Sequence, residues 1–400
     1  MVNTVSTTAS APGETAVAAT PLSPLKRLVS LDMLRGITIA FMIMVNNNGG
    51  DHAWAEMHHA AWNGFTATDL VFPTFLFVVG VSIVFATEAR LARGQSRGHL
   101  AWHTVRRACI LFAFGIVVNN YPLFHLEHMR FYGVLPRIAI CYLVVELFYL
   151  WDRRASTKVL ALVLVLLGYW ALVRLVPVPG AGVPGRDVPL LDKDQNIVAW
   201  LDRQLMPGHL YEDSPLHNAR DPEGLLSSIP SLATALLGVL TGLWLSASAS
   251  LQKKATWLLV AALCGLALGK FWALWFPINK KLWTSSFVLF AAGATLLVLA
   301  ICFFLVEVRQ WKRARTFPWI VFGSNAIVAY IFSELLAAAL FTIHVERAGQ
   351  TANLQSLIYD NVFSSIVNPS FGSLLYSLAY VAVCFVPVAI LYRKRMFIKI

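Results

Sequence analysis

Two adjacent histidines, His58 and His59, sit in a short polar run with Asn46, Asn47, Asn48, Asn63 and Asp69. Imidazole changes charge near neutral pH, so a histidine here is a candidate general base. Neighbouring side chains on irregular backbone point different ways, so one of the pair would face a site and the other solvent. A metal centre from Asp51, His52, Glu56, His58 and His59 is a competing reading, and a plain surface histidine is another. The run lacks the HxxxH and HExxH spacings, so no metal is expected. Carboxamide groups can hold a developing oxyanion. Asn46 is read in that way, whereas Asn48-Gly49-Gly50 also has the pattern of a helix C-terminus. Asp69 could cap the helix that follows, or orient a histidine as the third member of a proton relay.

A second set of polar groups lies elsewhere. Asp32, Arg35, Arg137, Glu146, Arg174 and Lys270 interrupt apolar stretches, and ions at membrane depth are paired or functional. Arg35 and Arg137 could reach phosphates of a cytoplasmic ligand. Asp32 and Arg35 could equally pair within one helix turn. In the stretch 277–286, Lys280 and Lys281 could bind substrate or snorkel. Trp283 could stack on a sugar or join an aromatic belt.

The elements that must position these groups are membrane helices. A span needs about 20 mostly apolar residues. Ten stretches qualify, near 31–45, 70–86, 105–119, 131–150, 159–176, 229–245, 255–276, 287–306, 320–343 and 374–391. The first and third are short and should extend into their flanks. Lys and Arg concentrate in alternate connections, including Arg90–Arg107 and Arg309–Arg315, which places those connections and both termini in the cytoplasm. The run with His59 then lies outside. The expected fold is an all-α polytopic bundle of about ten transmembrane helices.

Composition agrees. Of 400 residues, 58% are hydrophobic and only 13% are charged, against nearer half and a quarter in soluble domains. The net charge of +11 falls in short loops, which argues against nucleic acid as a partner. All five cysteines lie within apolar segments without metal or redox spacing. Residues 1–25 lack a basic start and apolar core, so they read as a disordered cytoplasmic tail rather than a signal. The remainder, 26–400, reads as one transmembrane domain with a large acidic periplasmic loop at 177–228. No Walker loop, dinucleotide fingerprint or nucleophile elbow occurs.

Several motifs resemble those of the heparan-alpha-glucosaminide N-acetyltransferase family, whose bacterial members include transmembrane glucosamine N-acyltransferases. They are Ser30-Leu31-Asp32-Met33-Leu34-Arg35-Gly36, Met44-Val45-Asn46-Asn47, His59-Ala60-Ala61-Trp62-Asn63-Gly64 and Asp69-Leu70-Val71-Phe72-Pro73. The likeness continues through Gly133-Val134-Leu135-Pro136-Arg137, Asp221-Pro222-Glu223-Gly224 and Asn279-Lys280-Lys281-Leu282-Trp283. It implies acetyl transfer from cytoplasmic acetyl-CoA to an amino sugar beyond the membrane, here the bacterial inner membrane. The family's catalytic histidine matches His59, and its asparagine matches Asn46, or Asn48 in the other register. The expected site is therefore His59, Asn46 and Asp69 for catalysis. Asn48, Trp62, Asn63, Asn279, Lys280 and Trp283 would meet the sugar, and Arg35 and Arg137 the acetyl-CoA. A second copy of the chain is a possible partner beside the bilayer. The alternative activity is transport of amino sugars or cell-wall fragments, for which no convincing internal repeat is found.

Overall fold

A computed structural model describes residues 28–50, 52–211, 220–347, 350–366 and 368–398. The proposed N-terminal tail, Asp51 of the weighed metal centre, and Glu212 and Asp213 of the acidic loop lie outside them. The described helices are α1 (Val29–Asn46), α2 (Val71–Leu91), α3 (Arg97–Asn120), α4 (Val134–Trp151), α5 (Ala155–Leu175), α6 (Ile197–Leu205), α7 (Ser228–Ser246), α8 (Leu251–Trp272), α9 (Ser285–Phe303), α10 (Arg313–Ser324), α11 (Ala326–Thr342), α12 (Leu354–Ile358) and α13 (Pro369–Arg393). One antiparallel hairpin, β1 (His344–Arg347) with β2 (Gln350–Asn353), pairs His344 with Asn353. Among the described residues, nine helices are long and apolar enough to cross a membrane, or ten if one bent pair counts as a span. This is a multi-pass helical membrane protein. The short first and third stretches do lengthen, to Val29–Asn46 and Arg97–Asn120.

Burial sorts the helices into two rings. α1 and α2 are mostly buried, whereas under a third of the residues of α3, α5, α8 and α13 are buried. Leu160, Leu164, Trp257 and Leu263 belong to that outer surface, where lipid replaces water and costs them nothing. Between apolar helices in lipid, close backbone approach supplies the attraction. Gly80 of α2 and Gly238 of α7 make such a contact. A Cβ on Gly80 would lie 2.0 Å from the Ala235 carbonyl oxygen, and one on Gly238 would lie 2.1 Å from that of Phe77. Buried hydroxyls add to the cohesion, with Thr74 and Thr295 2.9 Å apart between α2 and α9.

One expectation needs revision. The stretch 320–343 is not one continuous span: α10 and α11 meet at 71°. Asn325 stands at the break. Its side chain donates to the Met396 carbonyl (3.2 Å) and accepts from Ile398 N–H (3.0 Å), tying the bend to the C-terminal segment. The loop 177–228 packs in part against the bundle. It contains α6, and Val178, Leu191, Ile197 and Val198 bury against Tyr169, Phe276 and Leu282.

Candidate active site

Asp69 organises the polar run. It lies in a 3-10 turn, Ala67–Leu70, that leads into α2. Its Oδ2 accepts from the backbone N–H groups of Ala60 (3.1 Å) and Thr66 (3.0 Å) and from the Thr66 hydroxyl (3.1 Å). The hydroxyl of Thr66 also reaches the His58 carbonyl at 2.8 Å. One carboxylate oxygen thus folds the loop back on the helix entrance. The other oxygen, Oδ1, lies 2.8 Å from His59 Nδ1. Asp69 is only 1% exposed, whereas the His59 side chain is 46% exposed. A buried carboxylate at Nδ1 selects the tautomer that carries its proton there. Nε2 then faces outward as an acceptor. His58 is exposed and enters this arrangement through its backbone.

The stretch 277–284 closes over the same loop. Gly64 N–H donates to the Ile278 carbonyl at 2.8 Å, and Asn279 Nδ2 to Asn63 Oδ1 at 3.1 Å. Asn279 is fully buried. Its Oδ1 holds Leu282 N–H (2.9 Å), and its own N–H reaches the Thr284 hydroxyl (3.0 Å). This turn delivers Lys280, whose Nζ lies 3.0 Å from His59 Nδ1, 3.2 Å from Nε2 and 3.8 Å from Asp69 Oδ1. The Lys280 side chain is only 17% exposed. Burial is the main influence on it and draws its pKa below the ordinary lysine value, with Lys281 and Arg137 adding to that effect and Glu223 and Asp69 opposing it.

The remaining expected residues divide by position. Trp62 is half-buried and ties the motif to the long loop by donating to the Leu191 carbonyl at 2.7 Å. Arg220 and Lys281 lie 5.6 and 6.0 Å from its ring centre. Asn63 is exposed beside it. Trp283 is 1% exposed, and donates to the Thr234 hydroxyl at 3.1 Å. It packs edge-on against Phe72 and Phe287, so it supports the site from the core. Asn46 is exposed at the end of α1, with Nδ2 3.5 Å from Glu334 Oε1 of α11. Asn48 is held by the Val45 carbonyl (3.2 Å) and the Ser377 hydroxyl (3.4 Å).

The two arginines do not converge. Arg35 bridges helices, reaching Asp32 (3.3 Å), the Gly323 carbonyl (3.4 Å) and the Ser82 hydroxyl (3.0 Å). Ser82 lies about 20 Å along α2 from Asp69 at the helical rise of 1.5 Å per residue. Arg137, by contrast, starts α4 and is fully buried. It donates to the Gly224 carbonyl at 3.0 Å and to the Ser227 hydroxyl, under the ring of Trp283. Its Nε and Nη1 have no hydrogen-bond partner among the described residues.

Sequence reasoning passed over Arg130. It grips Asp221 with two bonds (2.8 and 2.6 Å) and Glu223 with a third (2.7 Å). Glu223 thereby enters the electrostatic surroundings of Lys280 and of Tyr330. The Asp-Pro-Glu-Gly motif was visible in the chain, but its pairing with residue 130 needs the fold. Among the described residues no cluster of three His, Cys, Asp or Glu side chains is placed to hold a metal ion.

Comparison with known proteins follows the same residues. Positions 27–183 match the family described as heparan-alpha-glucosaminide N-acetyltransferase, catalytic. Heparan-alpha-glucosaminide N-acetyltransferase of Mus musculus is 30% identical over 425 residues, covering 94% of this chain and 61% of that protein. The Homo sapiens protein is 32% identical over 356 residues, covering 77% of this chain and 53% of its own length. The chain therefore spans less than two thirds of the curated relatives it matches. Positions 27–183, which include His59, Asp69, Asn46, Arg35 and Arg137, are similar to the heparan-alpha-glucosaminide N-acetyltransferase family.

Proposed function

We propose that this protein is an acetyltransferase that moves an acetyl group from acetyl-CoA to the amine of an amino sugar. The observation that carries this reading is the His59–Asp69 pair: a half-exposed imidazole held at Nδ1 by a buried carboxylate. His59 Nε2 takes the proton as the sugar amine attacks the thioester carbon, and Asn46 steadies the developing oxyanion. The C–S bond breaks, and the proton passes to the CoA thiolate. Asp69 fixes the ring throughout. Asn63 and Trp62 meet the sugar, with Asn48 nearby. Lys280 stands where the acceptor amine enters, and Asn279 and Trp283 hold that wall in place. Arg35 lies on the side from which a CoA phosphate would approach, and Arg137 offers two free donors closer to the reaction.

The site lies outside the bilayer in this reading and the donor arrives from the cytoplasm. The compartment is a bacterial inner membrane, with both termini inside. The absence of Lys and Arg between residues 46 and 68 supports that orientation. Transfer is direct, without an acetyl-histidine. Rapid quench with labelled acetyl-CoA and no acceptor should then leave His59 unlabelled.

The break between α10 and α11 is the kind of feature transporters carry, so the test must separate the two activities. Purified protein given acetyl-CoA and glucosamine should release free CoA and form N-acetylglucosamine. His59→Ala should lower that rate roughly 100- to 10,000-fold while eluting as a folded species. Glucosamine uptake into vesicles without CoA release would favour transport instead.

A further inference from the structure

Lys280 presents a primary aliphatic amine to the same imidazole that would deprotonate an amino sugar. Nζ lies 3.2 Å from Nε2, the ring nitrogen that Asp69 leaves open, and 3.0 Å from Nδ1. The near-equal distances put Nζ against the face of the ring, beside the base that would take its proton. We propose that Lys280 is a self-acetylation site: an internal amine that competes with the acceptor sugar for the acetyl thioester. The inference rests on the acetyltransferase reading above.

Three observations carry it. The amine is, like the acceptor's, a primary aliphatic amine, and it already lies against the base. The Lys280 side chain is withdrawn from water, at 17% exposure. Desolvation favours the neutral, nucleophilic form, although Asp69 and Glu223 oppose it. Lys281 differs in position: its Nζ lies 6.0 Å from the centre of the Trp62 ring. Lys253 and Lys312 are exposed on other connections.

The step balances without a further reagent. Nζ attacks the thioester carbonyl carbon, forming an N–C bond as the C–S bond breaks. The amine's proton passes to His59 Nε2 and then to the CoA thiolate, releasing CoA as a thiol. The product is an uncharged amide, too stable to pass its acetyl onward. It removes the cation that faces Asp69 and fills the acceptor's place. An enzyme charged with donor but starved of sugar would therefore switch itself off.

The test incubates purified full-length protein with isotopically labelled acetyl-CoA, without acceptor, and follows each lysine by peptide mass spectrometry. Lys280 should gain the label at least about ten-fold faster than Lys253, Lys281 or Lys312, because a held amine has a high effective concentration at the base. Excess glucosamine should slow the labelling, and His59→Ala should abolish the preference. Wild-type turnover should decay during preincubation with donor, while Lys280→Arg should show no such decay, whatever its starting rate. Labelling of Lys280 no faster than the exposed lysines, or equally fast with His59 removed, overturns the proposal. If glucosamine is acetylated while Lys280 stays bare, only this inference fails. If neither is acetylated, the acetyltransferase reading fails with it. Labelling of Lys280 without transfer to glucosamine upholds self-acetylation and points to a different acceptor.

Discussion

Asp69 does two jobs with its two carboxylate oxygens, and each predicts a different loss. Asp69→Asn keeps the shape but puts an NH2 group at one of those positions. Against His59 Nδ1 it removes the charged acceptor that fixes the tautomer. Against Ala60 and Thr66 it loses the grip on the loop. Turnover should drop roughly 100-fold or more, measured as CoA release, with the melting temperature falling as well. Asp202 offers a second residue-level test, away from the membrane spans. It is fully buried, with Oδ2 lacking a partner among the described residues, and burial pushes its pKa from 3.8 up to about 7, with the bond from Leu225 N–H opposing. A raised carboxyl pKa means the folded chain keeps a proton that the unfolded chain gives up. Its contribution to stability is full below the unfolded value and is lost as pH rises toward the folded one. Asp202→Asn should therefore melt higher than wild type at about pH 8, with the difference shrinking at about pH 4.

Helix pairs decide the next scale. The α2–α7 contact leaves no room for a side chain at Gly80 or Gly238, since the obstructing atoms are backbone carbonyls that cannot rotate away. Gly80→Val should cost upwards of about 3 kcal/mol, seen as loss of monodisperse protein on size exclusion. Gly168 in α5 has nothing within 4 Å of a built Cβ. Gly168→Ala should be neutral or stabilise by up to about 1 kcal/mol. The bent pair α10–α11 makes a separate prediction. Asn325→Ala removes both bonds to the C-terminal segment. Trypsin should then cut after Arg395 several-fold faster, while the bundle keeps its melting temperature within a few degrees.

At the scale of the molecule, the question is which face carries His59. The positive charge pattern assigns it outside, and cysteine labelling tests that assignment. In a background without Cys109 and Cys264, Glu56→Cys should react with a membrane-impermeant thiol reagent in intact cells. Gln95→Cys should react only after permeabilisation. Both positions are exposed. The reverse pattern would put the imidazole in the cytosol and remove the need for acetyl to cross the bilayer.

Hydropathy alone determined that this is a bundle of about ten apolar helices, because a span of some 20 apolar residues reports its solvent without reference to any neighbour. The compact run from Asn46 to Asp69 was legible for a similar reason: polar groups at a helix end in lipid are costly, so their presence marks a place. What each of them does depended on distance, which the chain does not encode locally. Asp69 could be a cap or an orienting acid by sequence, and the fold makes it both. Trp283 could serve a sugar face or an aromatic belt by sequence, yet packing against Phe72 and Phe287 buries it. Arg35 and Arg137 read alike in the sequence, whereas the fold puts Arg35 beside Ser82 and Arg137 beside Gly224 and Ser227. The ion pairs of Arg130 with Asp221 and Glu223, and the approach of Lys280 to His59, join segments far apart in the chain. Only the packing of α2, α4, α7 and α9 brings those segments within hydrogen-bond reach.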